Sequence, residues 1–295
     1  MITNRTLLLV DFSSLLHKAA HVNKLLSHNN KPTGALYGFL MQLANLVVQV
    51  KPRVTVVCLD TKPYARSLVY PQYKESRSKE PMDEWLGASI AIGKKAGAEF
   101  MDIAGIRYLG IPGLEADDIA ALLALNHQHE FEEVAIGAND SDLYSLLNDK
   151  VYMMKGGGPR GTRKPYTIAT FKRDYQDLDP SQWPLVQAIT GGHNGLKGID
   201  GVGEKTAIQY ITDTAACLKS KRGQKILDNW DLVEFNLPLA ALPPPVHFIA
   251  GTDKLRIPEL PKRGVLTRKV GVFLNKFGIE LNPMLEAAIG IMRSH

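Results

Sequence analysis

Three short apolar runs punctuate the first half of the chain, and each ends on an aspartate. Leu7-Leu8-Leu9-Val10 leads to Asp11, and Val54-Thr55-Val56-Val57-Cys58-Leu59 leads to Asp60. Glu133-Val134-Ala135-Ile136 leads to Asn139-Asp140-Ser141-Asp142. Continuous rather than alternating apolar character predicts strands buried on both faces, as in a parallel sheet. Between the runs the period becomes helical. Residues 34–50 carry Ala35, Phe39, Leu43 and Leu46, and residues 115–126 carry Ile119, Leu122, Leu123 and Asn126. This alternation predicts an α/β fold, a mostly parallel central sheet with flanking helices and right-handed crossovers. Ligands of such sheets bind beyond the carboxyl ends of the strands, where all three runs deliver their aspartates.

Residues 61–100 break the alternation. They hold Lys62, Arg66, Tyr70, Tyr73, Lys74, Arg77, Lys79, Lys94 and Lys95 together with Pro71 and Pro81, and read as a partly helical insertion over the strand ends. Residues 155–165 mix glycine with cations and read as a hairpin tip or a nucleic-acid contact. Residues 180–215 read as a separate helical module. From 216 onward the pattern is hard to follow, and Leu237–Pro245, with four prolines, reads as a linker or wrapping segment. The resulting division is a core at 1–175, with its insertion at 61–100, and a helical module with a tail at 176–295.

Composition narrows the class. Hydrophobic residues make up 45% and charged residues 22% of the 295, as in an ordinary soluble globular protein. No apolar run is long enough to span a bilayer, and the stretch before Asp11 is too short for a secretory signal, so a cytoplasmic protein is expected. The two cysteines, Cys58 and Cys217, form neither a disulfide framework nor a metal-ligand pattern, which suits a reducing compartment.

Candidate chemistry changes the meaning of the charge. Glu115, Asp117 and Asp118 fall in the first turn of a helix opened by Gly113-Leu114. One or two acids there are ordinary helix decoration. Three acids, added to Asp11, Asp60, Asp140 and Asp142, call for a divalent cation, and carboxylates are hard ligands that suit magnesium or manganese. Setting these seven acids aside leaves 35 cations against 23 acids, a net charge of +12 instead of +5. An acidic pocket in a basic surface fits an enzyme acting on nucleic acid. A second constellation, Gly198-Ile199-Asp200-Gly201-Val202-Gly203-Glu204-Lys205-Thr206-Ala207, reads as a hairpin between two helices. Its glycines let the backbone approach a phosphate, and Lys205 and Thr206 follow in the first helical turn.

These motifs together resemble the 5′-nuclease family, which includes flap endonucleases, the N-terminal nuclease domain of bacterial DNA polymerase I and phage 5′-exonucleases. The carriers are Leu9-Val10-Asp11 with Lys18 in place of a usual arginine, Pro32 to Phe39, Asp60 followed by Arg66 and Tyr73-Lys74-x-x-Arg77, and Gly113 to Asp118. Asp140-Ser141-Asp142-Leu143-Tyr144, Thr190-Gly191 and Gly201 to Ala207 complete the order, over roughly residues 6–211. The resemblance implies a helical arch within residues 61–100, a helix-hairpin-helix module and a two-metal hydrolysis of DNA phosphodiesters. Asp11, Asp60, Glu115, Asp117 and Asp118 would hold the first metal, with Asp140 and Asp142 nearer the second. Lys74 and Arg77 would face the scissile phosphate, and Lys18, Arg66 and Tyr73 would contact DNA near it. Gly201, Val202, Gly203, Lys205 and Thr206 would grip duplex DNA, with potassium at the hairpin. The implied substrate is DNA with 5′ ends, flaps or branched junctions, cut by a monomeric enzyme in a bacterial or phage-infected cell.

One stretch departs from the family. Where Thr-Gly-Asp, two residues and a further Asp are usual, this chain reads Thr190-Gly191-Gly192-His193-Asn194-Gly195. Both second-metal aspartates are replaced, leaving His193 and Asn194 as substitute ligands. Two further readings therefore stay open: a DNA-binding protein that keeps the fold with weak or lost cleavage, and a ribonuclease on the same scaffold.

Overall fold

Strand β1 (Thr6–Asp11) is buried along its whole length, and Leu7, Leu8, Leu9 and Val10 are each 0% exposed. At about 1.5–3 kcal/mol per fully buried aliphatic side chain, both faces of the strand are committed, and polarity resumes only where the cover ends, at Asp11. The computed structural model describes residues 5–74, 83–156, 162–192, 195–245, 255–260 and 267–294. Arg77, His193, Asn194 and the loop residues 157–161 lie outside the described residues.

After β1 come a small antiparallel pair, β2 (Ser27–His28) and β3 (Lys31–Pro32), then β4 (Val54–Leu59), β5 (Tyr108–Gly110), β6 (Glu133–Gly137), β7 (Val151–Gly156) and β8 (Arg163–Tyr166). The main sheet runs β5-β4-β1-β6-β7-β8 and is parallel except for the β7–β8 pair. β1 sits between β4, reached first, and β6, reached later, so the chain leaves these strands in opposite directions and opens a crevice at their carboxyl ends.

Alternate residues fill two layers. Leu7, Leu9, Val56, Cys58, Val134 and Ile136 face the helix Ala116–His127. Leu8, Val10, Val57 and Ala135 face the helices Phe12–Val22, Gly34–Val50 and Glu84–Ala104. The C-terminal helices Thr267–Asn275 and Pro283–Arg293 close the second layer. Among the described residues no helix is long and apolar enough to cross a membrane.

Three expectations need correction. The second half of the insertion at 61–100 is a core helix, Glu84–Ala104, burying Leu86, Ile90, Gly93, Gly97, Phe100 and Met101. Its glycines hide the helical stripe in the sequence, because they serve close packing: a Cβ on Gly97 would lie 2.8 Å from the Phe12 ring. The helical module shares the main core: among the described residues Trp183, Val186, Ile189, Ile199, Val202 and Ile208 belong to the cluster that contains Leu7 and Ile136, with the small group Leu196, Leu239 and Ala240 beside it. Finally, Leu237–Ala240 is no linker but the last turn of the helix Trp230–Ala240, which contains Pro238 and buries Val233, Asn236, Leu239 and Ala240.

Candidate metal centre and nucleic-acid interface

The acids at the carboxyl edge are first of all helix caps. Asp11 caps the helix Phe12–Val22 by accepting the Ser14 N–H at 2.9 Å. Glu115 caps Ala116–His127 in a reciprocal capping box with Asp118, whose Oδ2 accepts the Glu115 N–H at 3.1 Å. Asp60 reaches the same helix end from β4 and accepts the Ala116 N–H at 3.1 Å. Asp140 caps the 3-10 turn Ser141–Leu146 through the Asp142 N–H. Exposed N–H groups and helix dipoles make each site tolerant of negative charge. Serine or asparagine would cap as well, so capping does not account for carboxylates throughout.

The structure brings one carboxylate oxygen from each of Glu115, Asp117 and Asp118 within 4.8 Å of the others. Asp11, Asp60, Asp140 and Asp142 stand outside that trio. Even so, burial and the nearby charges of Asp60 and Asp140 push the Asp11 carboxyl up to about 7. Burial and the neighbouring acids raise Asp117 well above the carboxylate range. Burial raises Asp118 as well, against the pull of Arg66.

Two cations partly compensate. Arg66 Nη1 donates to Asp118 Oδ2 at 2.7 Å and to Glu115 Oε2 at 3.2 Å. The Lys74 amine donates to the other Glu115 oxygen, and the Tyr73 hydroxyl donates to Glu115 Oε2 at 2.6 Å. Asp118 Oδ1 remains buried with no hydrogen-bond partner among the described residues. An all-oxygen donor set, crowded carboxyls whose mutual repulsion and burial a cation would relieve, and an orphaned buried carboxylate oxygen fit a hard divalent cation.

This electrostatic arrangement has a consequence for stability. The folded value for Asp11 lies above its ordinary 3.8, so between about 4 and about 7 the folded chain binds more protons than the unfolded one. Asp117 and Asp118 shift in the same direction. The contribution of these groups is therefore fullest at the acid end of that window and is lost as pH rises. In EDTA the melting temperature should fall between pH 5 and pH 8, and magnesium should restore it most at pH 8. A melting temperature that rises with pH in EDTA would contradict this electrostatic picture.

Several expected contacts need relocation. Arg66, expected at a DNA phosphate, is 3% exposed, with Nε on the Leu239 carbonyl and Nη2 on the Ala241 carbonyl. Tyr73 is likewise 5% exposed, its hydroxyl on Glu115. Lys74 lies 5.3 and 5.6 Å from the ring centres of Tyr73 and Tyr64, with a left-handed backbone (φ 57°). Lys18 is half-buried on the helix Phe12–Val22, its amine lowered by burial and by Arg163. Asp142 is buried and accepts from Gln187 of the helix Trp183–Thr190. Sequence reading missed Gln187, although a glutamine between the core residues Val186 and Ala188 is the signal for it.

In the hairpin, Gly201 takes a left-handed φ of 76° that a side chain would strain. Gly203 caps the helix Glu204–Thr212 and is exposed, as is Lys205, while Thr206 is half-buried. Val202, at 5% exposure, is a core anchor. Lys225 was also missed: its amine donates to the Asp200 carbonyl at 3.1 Å, and it shares the helix Lys221–Asp228 with exposed Lys221 and Arg222.

Comparison with known proteins places this geometry. Residues 6–176 match the family model of the 5′-3′ exonuclease N-terminal resolvase-like domain. The thermostable DNA polymerase I of Thermus aquaticus is 31% identical over 290 residues, 94% of this chain but 33% of that protein. The chain thus spans about a third of that relative's length. The 5′-3′ exonuclease of Aquifex aeolicus is 30% identical over 239 residues, 80% of this chain and 77% of that protein. Among solved structures, T5 5′-exonuclease with bound divalent zinc ions aligns with a TM-score of 0.70 at 24% identity, covering 98% of this chain and 100% of that one. A T5 flap endonuclease complexed with DNA and metal ions aligns at 0.67 and 20%, covering 98% and 99%.

Proposed function

Because the chain belongs to the 5′-3′ exonuclease family, we propose that it hydrolyses DNA phosphodiesters at 5′ ends, 5′ flaps and branched junctions as a metal-dependent, monomeric nuclease. The observation that carries this reading is the trio Glu115, Asp117 and Asp118 at the carboxyl edge of the sheet, on the same core as the glycine hairpin. With Asp11 and Asp60, the trio would hold magnesium or manganese. A bound divalent ion supplies an activated water and stabilises the charge of the leaving oxygen. The chain's own residues do the rest. Arg66 and Tyr73 orient Glu115 and Asp118, Lys74 offers a cation at the mouth of the cluster, and Gly201, Gly203, Lys205 and Thr206 hold duplex backbone away from the cut. The complete trio favours this reading over a DNA-binding protein without cleavage. Cleavage of a 5′-flapped duplex in magnesium, and its loss in EDTA, tests it.

Lys205→Ala should weaken binding alike for every duplex sequence and reduce the salt slope by about 1, because a phosphate contact carries no base information. Fluorescence anisotropy between 50 and 200 mM salt checks this; an unchanged slope would remove Lys205 from the grip.

The second metal should be held weakly. Asp140 and Asp142 remain, but Asp142 is occupied by Gln187, and Gly192 offers no ligand. We expect magnesium activation in two phases, with Asn194→Asp moving the weaker one to lower concentration. One tight phase at full activity would argue for a single metal or for His193 as a ligand, and a large loss in His193→Ala would identify the latter.

A further inference from the structure

The helix Trp230–Ala240 lies beyond the residues matched by the family model, and it touches both halves of the site. On it, Asn236 is 1% exposed, and its Nδ2 donates to two carbonyls, Ala188 O and Lys197 O, each at 2.9 Å. Ala188 belongs to the last turn of Trp183–Thr190, whose final carbonyls have no partner within the helix. The next of them, Ile189 O, accepts the Ile199 N–H at 2.9 Å. Gly198 fits against Thr190 so closely that a Cβ on it would lie 2.0 Å from the Thr190 carbonyl oxygen. The segment that leads into the glycine hairpin is thus stitched to the helix that also supplies Gln187 to Asp142.

A second side chain holds the same segment from the other side. The Tyr70 hydroxyl donates to Gly195 O at 3.3 Å, while its ring packs edge-on against Phe235, the neighbour of Asn236. One turn further along, Leu239 O and the cap residue's Ala241 O accept from Arg66, which in turn donates to Glu115 and Asp118. The last two turns of one helix therefore touch both the segment leading into the hairpin and, through Arg66, the carboxylate trio.

Resting on the function proposed above, we infer that Asn236 is a positioning residue. It fixes how far the hairpin-bound duplex lies from the cutting trio, and so determines which phosphodiester is cut. A displacement of about 1 Å at a reacting centre can cost about 100-fold in rate. Loosening this connection should therefore spread cleavage over neighbouring bonds instead of merely slowing it.

The test is single-turnover cleavage of a 5′-flapped duplex labelled at its 3′ end, read as the distribution of product lengths well below the melting temperature. Asn236→Leu keeps the volume and removes both donors. The share of the main product should fall about twofold or more, with products displaced by one or more nucleotides. Tyr70→Phe removes only the hydroxyl on Gly195 and should shift the distribution in the same direction to a smaller extent. An Asn236→Leu protein that melts lower or cuts more slowly but keeps the wild-type product distribution shows a purely structural role and overturns the inference. If that variant does not fold, an unchanged distribution in Tyr70→Phe overturns it instead. A wild-type protein that binds the substrate without cutting overturns the functional reading itself, and this inference with it.

Discussion

Asp118→Asn should lower cleavage by ~10³-fold or more, because the divalent ion it helps to hold is worth several kcal/mol of charge stabilisation. Asn retains a carbonyl that can accept the Glu115 N–H, so the capping box survives in part. What disappears is the carboxylate charge and the pair with Arg66 Nη1. Asp60→Asn should behave alike, keeping its cap on Ala116 while losing charge. Duplex affinity, measured in calcium, should stay within a few-fold of wild type, because the proposed duplex contact lies in the hairpin. Undiminished turnover in either variant would take that residue out of the metal site.

Lys74→Ala should slow the chemical step by about 100-fold, ~3 kcal/mol, while changing substrate affinity little. Its amine rests on Glu115 near the Tyr64 and Tyr73 rings, at the cluster where the scissile phosphate would arrive. A cation needed mainly as charge develops appears in single-turnover rate at saturating enzyme. Rates equal to wild type would reduce Lys74 to a counter-ion of Glu115.

What the sequence made legible follows from how each element is specified. Strands covered on both faces must be continuously apolar, so β1, β4 and β6 and their terminal acids could be read directly. Glu115, Asp117 and Asp118 were legible because one helical turn keeps them together. Long-range pairing was not. Nothing local distinguishes Arg66, buried against carbonyls 173 and 175 residues away, from a surface cation such as Lys62. The resemblance assigned Arg66 and Tyr73 to DNA, and only the folded chain shows both turned inward to Glu115. The helix Glu84–Ala104 was obscured by glycines that serve packing, and Trp230–Ala240 by Pro238 near its end. Gln187 and Asn236 are buried amides whose partners are set by tertiary contact, which no periodicity encodes.

The proposed function turns on cleavage of DNA by the carboxylate trio with a divalent ion. Its most direct measurement is single-turnover cleavage of a 5′-flapped duplex by wild type and Asp118→Asn, each in magnesium and in EDTA, with binding followed in parallel. Wild type should cleave in magnesium alone, with binding retained in all four conditions. Equal cleavage by Asp118→Asn, cleavage in EDTA, or tight binding by wild type with no cleavage in magnesium would contradict it.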